Sequence, residues 1–376
     1  MSLENWYQEF PAKSKFDISL FTIALGLIIF GLLMIMSSSN IIGFKLYNDS
    51  FYFAKKHVFF IILGSIFFII GLVVPHKVWR GYSLHLWLAS LFLVFLTYMP
   101  HVGSIAGGSS RWIVVAGFRF QPSDVLKFTL ILLIADFLDV NKDDIKNFKR
   151  ILLTIGAFVG ISVLLVIRQP DLGTSVVLAF VSLVLLFVSG FPMLFMLLLI
   201  PASIGGVIIS ILHNPYQLKR VIAFIDPWAD PLGKGFHVIQ SLIAVGTGGL
   251  FGLGLGQSRQ KFFYLPQQYT DFIFSIIAEE LGFIFTSIFL FIFFLYIFRS
   301  FLIASKVNDL FSKLLCIGIA SWIGFQGAIN ICVAVNLAPT KGITLPFISF
   351  GGTSLIMVMF ATGVILNISR YRESHE

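Results

Sequence analysis

The chain reads as all-α, a polytopic membrane protein of about ten transmembrane helices with one long outer loop, on three observations. Of its 376 residues, 57% belong to the hydrophobic set and only 12% are charged, far from the mix of a water-soluble domain. Apolar runs of roughly 17–25 residues recur along the chain, each long enough to cross a bilayer as a helix. Residues 213–269 are the one sizeable segment outside that pattern, dense in Gly, Pro and aromatics.

The predicted spans lie near 17–38, 55–74, 82–100, 122–140, 151–167, 172–189, 192–212, 270–298, 314–336 and 350–369. The first apolar run is too long for a signal-peptide core and is expected to stay. Span four opens on Pro122, which suits a first helical turn. Spans five and six meet in the short turn "RQPDLGTS", and span ten is entered from the irregular stretch "NLAPTKGITLPFISFGGTSL". An even count puts both termini on one side. Short segments on that side hold roughly 13 Lys and Arg against roughly 7 opposite, which makes it the cytoplasmic side. The long loop then faces outward, with a short interfacial helix predicted over residues 236–245. Residues 1–376 form one domain without internal repeats.

Several function classes fall away. The net charge of +8 has no basic run with interleaved aromatics in a soluble segment behind it, so nucleic acid is not expected and anionic lipid is the better partner. Cys316 and Cys332 share one predicted helix about 24 Å apart and cannot bridge. No zinc, Walker or Ser-His-Asp pattern is present.

The chemistry-bearing candidates cluster at the outer ends of spans. In "LPQQYTDFIFSIIAEELGF", Asp271 is either the N-cap of span eight, with Thr270, or a partly desolvated general base opening into an outer cavity. Glu279 and Glu280 lie deeper, where acids almost always have a partner inside the bundle, and are read as structural. In "SSRWIVVAGFRFQPSDVLKFTL", Asp124 suits the positive end of span four, but Lys127 in the same turn opposes the helix dipole. Asp124 and Lys127 either pair at i,i+3, or Arg119 and Lys127 reach a bound diphosphate. Trp112 is an interfacial anchor or a stacking wall for a sugar. Arg168 and Asp171 form a local salt bridge and cap, or a polar cavity rim. Lys341 adds charge to the same mouth, and Gly351 and Gly352 permit close helix approach.

Four stretches in order, "FQPSDVLKF", "QPDLGT", "GGLFGLGLGQSRQKFFYLPQQYTDFIFSIIAEELGF" and "PTKGITLPFISFGGTSL", resemble the SEDS family of bacterial cell-wall polymerases over most of the chain, its division branch more than its elongation branch. The resemblance implies a ten-span inner-membrane peptidoglycan glycosyltransferase at the division septum, polymerising lipid II and releasing undecaprenyl diphosphate. It implies Asp271 as the catalytic aspartate, with Trp112, Arg119 and Lys127 handling substrate; Asp124, Arg168, Asp171, Lys261 and Lys341 complete the expected binding set. A divalent cation, Mg or Mn, is a possible cofactor of such a reaction. The implied partners are a class B penicillin-binding protein supplying transpeptidation and other divisome membrane proteins. The rival roles are a lipid II flippase and a non-catalytic scaffold. The chain departs from the family pattern at Gln267 and Tyr269, where Glu and His are usual, and at Phe350, where Tyr is common.

Overall fold

A computed structural model describes residues 15–99, 103–106, 109–115, 118–144, 148–233 and 235–371. In chain order its helices are α1 (Ile18–Tyr47), α2 (Tyr52–Val73), a one-turn α3 (His76–Gly81), α4 (Ser83–Leu96), α5 (Pro122–Val140), α6 (Phe148–Arg168), α7 (Leu172–Val188), α8 (Met193–His213), α9 (Pro215–Ile225), α10 (Phe236–Thr247), α11 (Ile273–Ser305), α12 (Leu310–Ala334) and α13 (Gly352–Ser369). Leaving out α3, α9 and α10, these match the predicted spans one for one. Seven are long and apolar enough to cross a membrane by themselves. The other three are α4 and α7, which are shorter, and α5, which carries Asp124, Lys127, Asp136 and Asp139.

The core sits around α12 and α13. Nearly every residue of α13 is buried, as expected of a helix that is apolar on all sides. By contrast α8 keeps only Met196 buried and shows the rest of its apolar surface outward, as a lipid-facing helix does. Against α13 lies α2, at a separation only glycine permits: a Cβ on Gly71 would stand 2.6 Å from the Phe360 carbonyl oxygen, and one on Gly352 would stand 2.6 Å from the Phe60 ring. The close approach expected at Gly352 is therefore present. Cys316 and Cys332 are both free, on one helix.

Three features on the side of the long loop differ from expectation. First, a small antiparallel sheet of β1 (Gly103–Ala106), β2 (Ser109–Val115) and β3 (Phe118–Phe120) precedes α5, in a stretch where no strand is predicted. Two of its strands have four and three residues, and the seven-residue β2 has no strict apolar–polar alternation. Second, the long loop holds two helices rather than one. In α9 the Asn214 side chain accepts from the Tyr216 N–H and Pro215 takes the first turn, a standard start signal. The expected interfacial helix is α10, but it is packed into the bundle: the Ser241 hydroxyl lies 2.6 Å from both the Ser275 hydroxyl and the Ala334 carbonyl. Third, α11 is broken at Gly282 (φ 71°, ψ −178°), where residues 249–254 insert. The Phe283 N–H donates to the Gly249 carbonyl at 2.8 Å and the Leu253 N–H to the Glu279 carbonyl at 3.0 Å. Non-helical backbone at this depth survives because it pairs within protein.

A Gly71→Val substitution should cost about 2 kcal/mol, since over-packing of a tight contact typically costs 1–3. Gly206→Val should cost little, because nothing lies within 4 Å of a Cβ there. Thermal unfolding of both variants in detergent checks the contrast.

Candidate functional site

Residues 265–272 carry Asp271 to the head of α11, and four successive positions are tied down. The Gln268 amide donates to the Ser38 and Lys261 carbonyls at 2.8 and 3.1 Å, and the Tyr269 carbonyl accepts from the Phe350 N–H at 2.9 Å. The Thr270 carbonyl accepts from the Ser349 hydroxyl at 2.6 Å and the Asp271 carbonyl from the Asn330 amide at 2.9 Å. Held this way, the chain reaches helical geometry one residue late. The N-cap is Phe272, which makes no side-chain cap, so the capping role expected of Thr270 and Asp271 is not filled. The Thr270 hydroxyl turns back to Gln267 instead. Among the described residues no hydrogen bond or ion pair engages the Asp271 carboxylate.

That carboxylate faces a hollow of about 240 Å³, walled by Tyr216, Lys219 and Arg220 of α9, His237 of α10, Gln267, and Thr340 with Lys341. A second hollow of about 30 Å³ shares Arg220, Thr340 and Lys341 and adds Arg111, Asp171 and Gly342. Gly342 stands at the junction: the point where its Cβ would be is 3.4 Å from Asp271 Oδ2 and 3.9 Å from an Arg111 nitrogen. Burial pushes the Asp271 carboxyl up to about 6, against the opposing pull of Arg220 and Arg111. Burial likewise pushes the Lys341 ammonium down to about 8, with Asp171 acting the other way. An acid and an amine titrating on either side of neutrality therefore share one hollow.

Of the expected site residues, the structure brings together Asp271, Lys341 and Asp171. Asp171 caps α7 by accepting from the Thr174 N–H at 3.0 Å, and its ion partner is Arg111 at 3.8 Å. The expected pairing with Arg168 does not form, because Arg168 is exposed at the end of α6 while Asp171 turns inward. Lys127 and Asp124 do not reach the mouth: they pair at 2.8 Å inside the bundle, and Lys127 also donates to Gln326 at 2.8 Å. The diphosphate role expected of Lys127 gives way to this buried pair. Lys261 is likewise enclosed, 3.3 Å from Glu280, whose oxygens also accept from Ser37. Arg119 is exposed on β3 opposite Val114, and Trp112 lies on β2, where strand alternation turns it to the face opposite Arg111. Neither lines either hollow. Glu279 accepts from the Arg259 N–H at 2.9 Å and from the Ser258 hydroxyl, so both deep acids are structural as read.

Arg111 and Arg220 are the cations missed. Arg111 is held by the Gln169 and Pro170 carbonyls, and Arg220 by the Thr340 carbonyl at 3.1 Å and the Tyr216 hydroxyl. Arg111 sits in the quoted stretch that begins "SSRW", and Arg220 in "NPYQLKR" of the long loop. The Asn-Pro start and apolar spacing of α9 were the available signal for Arg220; nothing local marks Arg111 over Arg119.

Among the described residues no group of three or more His, Cys, Asp or Glu converges to hold a metal ion. Asp271 and Asp171 are interleaved with guanidinium groups, a donor set that does not fit a divalent cation held by the protein alone.

A bundle of apolar helices that gathers half-buried Arg111, Arg220 and Lys341 around one carboxylate, unpaired among the described residues, defines a multi-pass membrane protein with a charged hollow at the ends of its helices. The chain matches the family described as "Cell cycle protein" over residues 17–374, and it belongs to this FtsW, RodA and SpoVE family. It is 42% identical to stage V sporulation protein E of Bacillus subtilis, covering 96% of this chain and 98% of that one. It is 40% identical to the probable peptidoglycan glycosyltransferase FtsW of Coxiella burnetii, with 96% and 98% covered. Among solved structures it resembles a chain from work described as structural coordination of polymerization and crosslinking by a peptidoglycan synthase complex (TM-score 0.77, 28% identity, 95% and 99% covered). It also resembles the rod shape determining protein RodA of Thermus thermophilus (TM-score 0.69, 25% identity, 96% and 98% covered).

Because the Asp271 carboxyl titrates above its ordinary 3.8 in the folded chain, its contribution to stability is present below about pH 4 and lost as pH rises through 6. Asp271→Asn should match the parent in thermal unfolding near pH 4 and exceed it by a few degrees at pH 8. A constant difference across that range would contradict the buried-carboxylate assignment.

Proposed function

We propose that the chain is a peptidoglycan glycosyltransferase that polymerises lipid II at the outer face of the inner membrane. The observation that carries this reading is the half-buried Asp271 carboxylate, free of any partner, in one hollow with Lys219, Arg220 and Lys341. The relatives named FtsW support the activity, and the synthase-complex neighbour supports a role in building peptidoglycan. The excess of Lys and Arg on one side supports cytoplasmic termini.

The reaction makes two demands. The acceptor's GlcNAc 4-hydroxyl must lose a proton as its oxygen attacks the anomeric carbon of the donor's MurNAc, and the bond from that carbon to undecaprenyl diphosphate breaks with inversion. Asp271 takes the proton; a carboxyl near 6 is mostly ionised at neutral pH, yet basic enough to be effective. Inversion requires the leaving group on the far side of the reacting carbon. Arg220 and Lys341 wall both hollows while Asp271 lines one and Arg111 the other, so positive charge extends away from the base in that sense. Guanidinium groups clamped on backbone carbonyls are pre-oriented to receive a diphosphate. A class B penicillin-binding protein would supply the crosslinking for which this site has no nucleophile.

Polymerisation of lipid II by the purified chain with that transpeptidase, in detergent where no leaflets exist, separates synthesis from lipid flipping. Asp271→Ala should abolish glycan formation, and Arg220→Ala should reduce it by 10²-fold or more, the scale of losing one charge-stabilising group. The parent's rate should fall about tenfold per pH unit well below 6, as the base takes up a proton. Polymer formed by Asp271→Ala would eliminate the base assignment, and growth sustained by that variant in place of the native copy would favour a scaffold.

A further inference from the structure

We infer that Asn330 is the positioning residue that fixes the general base relative to the cationic wall, an inference that rests on the glycosyltransferase reading of Asp271. Asn330 stands on α12, 2% exposed. Its one Nδ2 group makes two hydrogen bonds, at 2.9 Å to the Asp271 carbonyl and 2.7 Å to the Ile343 carbonyl. The first segment carries the carboxylate. The second carries Lys341 and Gly342 immediately before Ile343, and these line the hollow that Asp271 faces or its neighbour. A single amide thus joins the two chain segments whose side chains must act on opposite ends of one reacting sugar.

The chemistry singles out Asn for this place. Both partners are carbonyls and only accept, so the residue between them must present two N–H groups on one atom. A carboxylate would repel both, a hydroxyl could serve one, and an apolar side chain neither. The arrangement also leaves Asn330 Oδ1 buried without a partner, a cost that an apolar residue would avoid. One turn deeper on the same face, Gln326 donates to the Thr344 carbonyl at 3.0 Å. The loop therefore keeps a second anchor when Asn330 is changed, and the effect of losing Asn330 should fall on the register of Asp271 against Lys341 rather than on folding.

Misplacing a reacting group by about 1 Å costs on the order of 10²-fold in rate. With the purified full chain, its transpeptidase and lipid II in detergent, Asn330→Leu and Asn330→Asp should each lower kcat about 100-fold with KM for lipid II changed less than threefold. Asn330→Ser, with one donor, should fall between them and the parent. The acid limb of the kcat–pH profile should move in the variants, and thermal unfolding should show that each is folded. A structural role alone would lower unfolding temperature while leaving kcat per folded molecule and the acid limb where they are, and that result overturns the inference. Asp271→Asn runs alongside: if it is inactive while all three Asn330 variants keep kcat within threefold, positioning fails and the base reading stands; if Asp271→Asn polymerises, the base reading itself fails.

Discussion

Irregular backbone packed against the helix ends is the constraint on which the long-loop half of this molecule depends. Residues 249–272 and 336–351 leave the helical ladder, and wherever this backbone is buried against protein its amides and carbonyls need partners there. Side chains close the account. Glu279 accepts backbone N–H groups from 259 and 260, Gln268 donates across to α1, Ser349 donates to the Thr270 carbonyl, and Gln326 and Asn330 donate to the loop before α13. The same bonds that make the segments tolerable also make them rigid. A carboxylate on a loop is normally the least well-placed kind; here its neighbours on the loop are pinned to α1, α12 and the loop that enters α13.

Charge at the outer side divides by whether a partner is within reach. Lys127 meets Asp124 one turn away on α5, and Lys261 meets Glu280 across the α11 break; each pair is closed and nearly dry. Truncating one member would strand the other, so these pairs hold geometry rather than bind ligand. Asp271, Arg220 and Lys341 have no such closure. They face a hollow in which the cations outnumber the acid, and a ligand bringing negative charge would balance them. Residue type alone therefore does not separate the two sets of charges; burial and connectivity do.

That difference explains what was legible beforehand. Hydropathy located ten helices because span length and apolarity are local properties, and the break at Gly282 was invisible because it depends on Gly252 arriving from a segment thirty residues earlier in the chain. Asp271 stood out as an acid at the start of an apolar run. Whether Lys127 or Arg220 served it could not be read, because both are cations near the outer end of a helix and only packing decides that α5 turns Lys127 toward Gln326 while α9 turns Arg220 toward Thr340. The i,i+3 spacing of Asp124 and Lys127 was the one local hint of a closed pair. Asn330 carried no signal at all: an Asn in an apolar helix acquires meaning only through the two carbonyls it meets.

The departures from the family pattern are coherent once placed in space. Tyr269 and Phe350, standing where His and Tyr are usual, touch each other with ring centroids 5.8 Å apart, and both pack on Phe53. A phenol replaces the usual imidazole at 269 and the usual hydroxyl at 350 is gone, so the proton-carrying group left in this contact is Tyr269. Gln267, where a Glu is usual, lines the hollow beside Asp271 and spends its Oε1 on the Thr270 hydroxyl. A carboxylate at 267 would raise the Asp271 carboxyl through like-charge repulsion; an amide cannot. In this chain the elevation to about 6 therefore arises mainly from desolvation, with a smaller push from Asp171, while Arg220 and Arg111 hold it from rising further. The strength of this carboxylate follows chiefly from exclusion of water against a fixed positive wall.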